Sequence, residues 1–159
     1  MTQQAVGQVA DVADDPICQN LQNISILTRE IEKRLAETLK VNATDLAAME
    51  QLVGSGALTP GDLAARLQVT TAAATQIVDR LEKAGHVGRV RHETDRRKVM
   101  VVPAAESVAL TMRELTPMLA SLQALVSSLA TPERAVVGAF LEQVVGIYRG
   151  TIERTGGKQ

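Results

Sequence analysis

Apolar residues recur along most of this chain at intervals of three and four, and between residues 86 and 102 at intervals of two. Ile17, Leu21, Ile24, Ile31 and Leu35, with Leu27 and Leu39 beside them, follow Asp15-Pro16, which reads as an N-cap and a first helical position. They predict a long helix to about residue 40. Asn42 opens a second helix, with Asp45 three positions on to complete its cap, and Leu46, Met49, Leu52 and Val53 as its buried stripe. "GSG" at 54–56 stops it. "TPGD" at 59–62 starts a short third helix carrying Leu63, Ala64 and Leu67, which Gln68-Val69-Thr70 interrupts. A fourth helix runs from Thr70 or Thr71 to Ala84 and ends at Gly85.

Two short helices joined by a tight connection, with small Ala64 at the crossing and Val69 in the turn, suggest a helix-turn-helix. The period-two segment reads as a β-hairpin: "HVGRVR" and "KVMVV" flank the polar "HETDR". A hairpin directly behind a helix-turn-helix is a wing. After Pro103, Val108, Met112, Leu115, Leu119, Leu122, Val126 and Leu129 keep heptad spacing, the mark of a helix packed lengthwise on another, with Pro117 expected to kink it. Thr131-Pro132-Glu133 begins a last helix, with Val137, Phe140, Leu141, Val144, Ile147 and Tyr148 on a wide face. The expected class is mainly α with a small β-hairpin wing. The expected organisation is a flexible arm (1–14), a first dimerisation helix (15–40), a winged helix-turn-helix (41–103), further dimerisation helices (104–154) and a tail (155–159).

Composition narrows the function. One Phe, one Tyr and no Trp leave an aliphatic core and nearly exclude the aromatic stacking that grips single-stranded nucleic acid. No apolar run reaches membrane-span length, and the opening residues lack a secretory signal, so a cytoplasmic protein without membrane partners is expected. The formal charge of −1 hides an asymmetry: residues 1–65 hold four basic and nine acidic side chains, residues 66–98 eight and four. Five of the 17 basic residues, Arg89, Arg91, Arg96, Arg97 and Lys98, lie within ten positions. That is an address for an anionic partner.

On the fourth helix, Ala74, Ile77, Val78 and Leu81 share one side and Thr71, Ala72, Thr75 and Gln76 the other. The latter face, led by Thr70, suits the major groove: Ala and Thr permit close approach, a Thr methyl can touch thymine, and Gln76 can bond adenine N6 and N7. An arginine at a hairpin tip can enter a narrow minor groove, which places Arg96 and Arg97, while Arg89, Arg91 and Lys98 can neutralise phosphates. Asp95 is expected to orient an arginine.

"LAARLQVTTAAATQIVDRLEKAGHVGR" and "DRRKVMVV" carry a resemblance to the MarR family of transcriptional regulators, over roughly residues 16–154. "VDRLEKAG" (78–85) resembles the end of that family's recognition helix, and Asp95 and Arg97 its Asp-x-Arg wing signature. The resemblance implies that Arg97 enters the minor groove, with Asp95 and Arg80 helping to fix the wing. It further implies a repressor released by a small-molecule effector, often an aromatic acid. Gln76 departs from the family's frequent arginine, and "VPAAES" from its usual "LT…G" after the wing.

The apolar faces of the first, fifth and last helices exceed what one winged domain can cover, so a homodimer on a pseudo-palindromic double-stranded operator is expected. An effector pocket lined from the first, second and fifth helices has Arg29, Lys33 or Arg34 as carboxylate partners, or these three are a solvated face. Cys18 raises a redox-sensing alternative, against which stands an inert, partly buried thiol in a helix without tyrosine. His86 sits at a helix–strand junction. His92 is a phosphate neighbour or solvated, and the two are too isolated for a metal site. No catalytic motif is evident, so neither an enzyme nor a cofactor is expected. A winged-helix protein-interaction module without DNA binding is the other rival, and the basic middle segment argues against it.

Overall fold

The computed structural model describes residues 15–92, 95 and 98–156. The expected arm (1–14), the wing-tip residues Arg96 and Arg97, and the last three residues of the tail lie outside them. Among the described residues six helices and two strands follow in the order α1 (Pro16–Leu39), α2 (Ala43–Ser55), α3 (Pro60–Leu67), α4 (Thr71–Lys83), β1 (Val87–Arg91), β2 (Val99–Pro103), α5 (Ala105–Ser128) and α6 (Thr131–Gly156). The chain divides into two compact units, one up to Glu114 and one from Leu115.

Helix ends in the first unit are set by local side chains. Asp15 Oδ1 accepts from the backbone N–H of Ile17 and Cys18 at 2.8 and 3.1 Å. Asn42 Oδ1 accepts from Asp45 N–H at 2.9 Å. Thr59 and Asp62 form a reciprocal capping box, Asp62 N–H donating to Thr59 Oγ1 at 3.1 Å and Thr59 N–H to Asp62 Oδ2 at 3.3 Å. The Thr59 hydroxyl and backbone bonds, aided by the charges of Lys98 and Arg66, hold the Asp62 carboxyl below its ordinary range. Gly85 takes φ +81°, a left-handed turn open to glycine at little cost, and there the helical period gives way to the strand.

The core is aliphatic. Met49, Leu52, Leu63, Val78, Leu81 and Val101 are fully buried, drawing α2, α3, α4 and β2 around one centre. Each such side chain contributes about 1.5–3 kcal/mol. One expectation for α2 changes. Val53 is 38% exposed, and Ala48 and Asp45 take buried positions instead, so the covered stripe is rotated toward the helix start.

The wing is an antiparallel pair with Val87 opposite Pro103, Arg89 opposite Val101 and Arg91 opposite Val99. A third segment joins it: Leu58 N–H donates to Val101 O at 3.1 Å, and Val101 N–H returns to Leu58 O at 2.7 Å. This bridge pins the base of the wing to the lead-in of α3. The hydrophobic pattern gave no sign of it, because Leu58 stands alone between two helices.

On α1 only Leu35, Ala36 and Leu39 are buried, while Ile17, Ile24 and Leu27 are 55–60% exposed. The second unit holds the remainder of α5, continuous across Pro117, and α6. Glu133 accepts from Ala130 N–H at 2.8 Å and Arg134 donates to Val126 O at 3.0 Å, closing the turn between them. No side chain from Leu115 to Thr155 is buried, and Leu122, Leu125, Phe140, Leu141 and Ile147 are all at least 40% exposed. No helix among the described residues is long and apolar enough to cross a membrane.

Candidate nucleic-acid interface

Helix α4 is two-faced. Ala74, Ile77, Val78 and Leu81 are at most 3% exposed, and Thr71, Ala72, Thr75 and Gln76 all face solvent. Thr70 caps the helix, its Oγ1 accepting from Ala73 N–H at 3.2 Å. The Thr75 hydroxyl donates back to Thr71 O at 2.9 Å, which leaves its methyl and its lone pairs to the outside. Helix α3 reaches α4 through Gln68 in the left-handed conformation (φ 55°), with Val69 N–H donating to Ala64 O at 3.0 Å. The half-buried Val69 and the buried Ala64 set the close crossing.

Two arginines of the basic segment have partners the sequence did not reveal. Arg80 donates from Nε and Nη2 to Asp45 Oδ2 and Oδ1 at 3.2 and 2.5 Å, a fork onto an almost fully buried carboxylate of α2. Asn42 Nδ2 adds a bond to the same Oδ2 at 3.0 Å. The resemblance cast Arg80 as a brace for the wing; its partner is instead the helix beneath α4. The bond to Asp45 raises the Arg80 pKa, so the cation persists while half of the side chain faces water.

Arg89, expected among the phosphate contacts, donates to Asp79 and Glu82 of α4. Its side chain is 29% exposed and its pKa is raised, the Asp79 bond first among the causes. A strand residue seven and ten positions beyond these carboxylates returns to them because Gly85 reverses the chain. Arg89 thus fastens the wing to α4, its charge already neutralised twice over. Arg91, opposite Val99, and Lys98 remain exposed.

At the wing's turn His92 N–H donates to Lys98 O at 3.0 Å, Lys98 N–H to Asp95 O at 2.9 Å, and Asp95 N–H to His92 Nδ1 at 3.4 Å. His92 therefore helps shape the turn, a task its sequence context did not suggest. Asp95 is half-buried.

A cleft of about 390 Å³ lies between α1 and α2, with Leu46 on its floor and Arg29, Lys33, Glu32, Glu37 and Glu50 around it. Desolvation, and then the neighbouring Glu32 charge, push the Glu50 carboxyl above its ordinary value. Arg29 and Lys33 are where a pocket was expected. Arg34 is not, because it turns to Glu30 at 3.1 Å, and α5 contributes nothing to the lining. Three carboxylates against two cations leave the cleft weakly negative. Cys18 is half-buried in the first turn of α1.

A helix-turn-helix whose second helix carries an exposed Thr/Gln face, followed by a hairpin bridged at its base, defines a winged helix-turn-helix protein. Residues 41–99 match the MarR family pattern. A helix-turn-helix-type transcriptional regulator of uncharacterised role from Bacillus subtilis, YcgE, is 31% identical over 119 residues, spanning 75% of this chain and 77% of its own. A MarR family protein from Bacillus stearothermophilus has a similar structure, with TM-score 0.63 at 19% identity over 94% of this chain and 99% of that one. A MepR variant from S. aureus bound to an oligodeoxyribonucleotide has TM-score 0.56 at 19% identity, over 85% and 99%. The chain belongs to the MarR family, as a helix-turn-helix transcriptional regulator.

Proposed function

We propose that this chain acts as a homodimer that reads a pseudo-palindromic double-stranded operator, with α4 in the major groove and the wing (86–102) in the minor groove, and that it represses until a small molecule releases it. The carrying observation is the exposed face of Thr71, Ala72, Thr75 and Gln76 on a helix whose other side is wholly buried. Thr70 begins that face. Arg91 and Lys98 neutralise phosphates along the wing, and Arg96 and Arg97 enter the minor groove with Asp95 orienting them. Arg80 spends Nε and Nη2 on Asp45, and its outer Nη1 is left to meet a phosphate: a cation braced from behind. The similarity to MepR, which has been caught on an oligodeoxyribonucleotide, supports the reading.

Dimerisation is supported by the uncovered apolar faces of α1, α5 and α6, far more than isolated surface side chains require. The cleft between α1 and α2 is the proposed effector site. Its charge favours a ligand with an amine on an aromatic or aliphatic body over a plain carboxylate. The setting is cytoplasmic, where operators are.

Selection of bound duplexes from a random pool, followed by gel shifts on the winner, tests the proposal. A pseudo-palindrome bound two chains to one duplex, with affinity falling steeply as salt rises, is the expected result. Replacing Gln76 by Ala should erase preference at one A·T pair, worth about 1–3 kcal/mol. Failure to retain any duplex at low ionic strength sinks the proposal.

A further inference from the structure

His86 occupies a junction of three helices. Its N–H donates to Leu81 O of α4 at 2.8 Å, and its carbonyl accepts from Ala104 N–H, before α5, at 2.8 Å. Its ring spans two more: Nε2 lies 2.9 Å from Leu39 O at the end of α1, and Nδ1 lies 2.9 Å from Ser107 Oγ in the first turn of α5. Because a carbonyl only accepts, Nε2 carries a proton and donates to Leu39 O, one of the carbonyls a helix C-terminus leaves without a partner. In the neutral ring Nδ1 then accepts from the hydroxyl of Ser107, itself 6% exposed. Arg89, three residues on, ties the strand that follows to α4.

We propose that His86 is the positioning residue that holds α4 and the wing at a set angle to α1 and α5. The backbone bonds at this residue would survive most substitutions; the two ring bonds would not. They are the ring's whole polar capacity, and they join the two helices that flank the reading domain in sequence. A loosened ring leaves each half intact but frees one against the other. In a dimer that freedom appears as tolerance to the spacing between operator half-sites, since α1 and α5 are the proposed dimer helices and α4 reads the bases. This consequence rests on the proposed function. The joint itself does not.

The test therefore has two arms. In the first, spin labels at Lys33→Cys on α1 and Ala72→Cys on α4, in a Cys18→Ser background diluted with unlabelled chain, report the distance distribution without DNA. It should be narrow with His86, broad in His86→Phe, and narrow again in His86→Gln, whose amide can donate to Leu39 O and accept from Ser107. In the second, duplexes with half-sites moved by one base pair should be discriminated about fivefold less by His86→Phe than by the parent, with half-site sequence preference unchanged. An equally narrow distribution in His86→Phe overturns the proposal, as does a broad one that His86→Gln fails to narrow. Should the parent bind no duplex at all, the proposed function fails and the first arm still decides the joint.

Discussion

Arg89 on β1 and Asp79 on α4 are joined by an ion pair that binds the wing to α4, and Glu82 takes the other arm of the same guanidinium. An arginine so engaged has little charge left for a phosphate. Arg89→Ala should weaken DNA binding while leaving the slope of affinity against salt concentration unchanged. Arg91→Ala and Lys98→Ala should each lower that slope by about one. Because the carboxylates are 59% and 40% exposed, the loss in folding stability for Arg89→Ala is about 0.5 kcal/mol. Titrations at four salt concentrations decide it: an equal loss of slope in Arg89→Ala would return this residue to the phosphate contacts.

Asp45 and Arg80 are unequal partners, the acid 5% exposed and the cation half in water. Removing the cation strands a buried carboxylate, whereas neutralising the acid leaves an arginine that water can serve. Urea denaturation should find Arg80→Met clearly less stable than Asp45→Asn, whose cost is about 1 kcal/mol. The reverse order would mean that the fork contributes little.

Glu50 gives a pH dependence of known sign. Its folded pKa is raised, so the ionised carboxylate disfavours the folded state at neutral pH. Glu50→Gln should raise the melting temperature at pH 7, by a gain of about 0.3 kcal/mol once solvent screening is allowed for. The gain should be full above the raised folded value and vanish as the pH falls below the ordinary glutamate value, where both states bind the proton. A gain that persists at pH 3 contradicts this cause.

Gly85 faces open space, so a methyl there meets no atom within 4 Å and the only penalty is backbone. At φ +81° that penalty is about 1 kcal/mol for Gly85→Ala. Calorimetry should show that loss, and no loss at all would mean that the turn relaxes freely.

Much of the architecture was legible along the chain because its signals act over a few residues. Asp15, Asn42 and Thr59 cap the helices they were expected to open, since a capping side chain needs only a backbone N–H two or three positions away. The period-two run gave the wing, and the amphipathic split of residues 70–84 gave both the buried and the exposed face of α4. Val53 was misassigned by the same logic, because periodicity locates a stripe but not which edge of it the neighbouring helix covers.

The sequence by itself determined the helices, the hairpin, the turn at Gly85 and the surplus of apolar surface on α1, α5 and α6. Only the tertiary structure decided which charges are spoken for. Arg80 meets Asp45 across 35 positions, and His86 meets Leu39 across 47. Local patterns carry no record of such meetings, since partners that far apart are chosen by how the core closes. A basic cluster announces attraction to an anion, and only the folded chain shows that Arg89 and Arg80 already have carboxylates while Arg91 and Lys98 still face solvent.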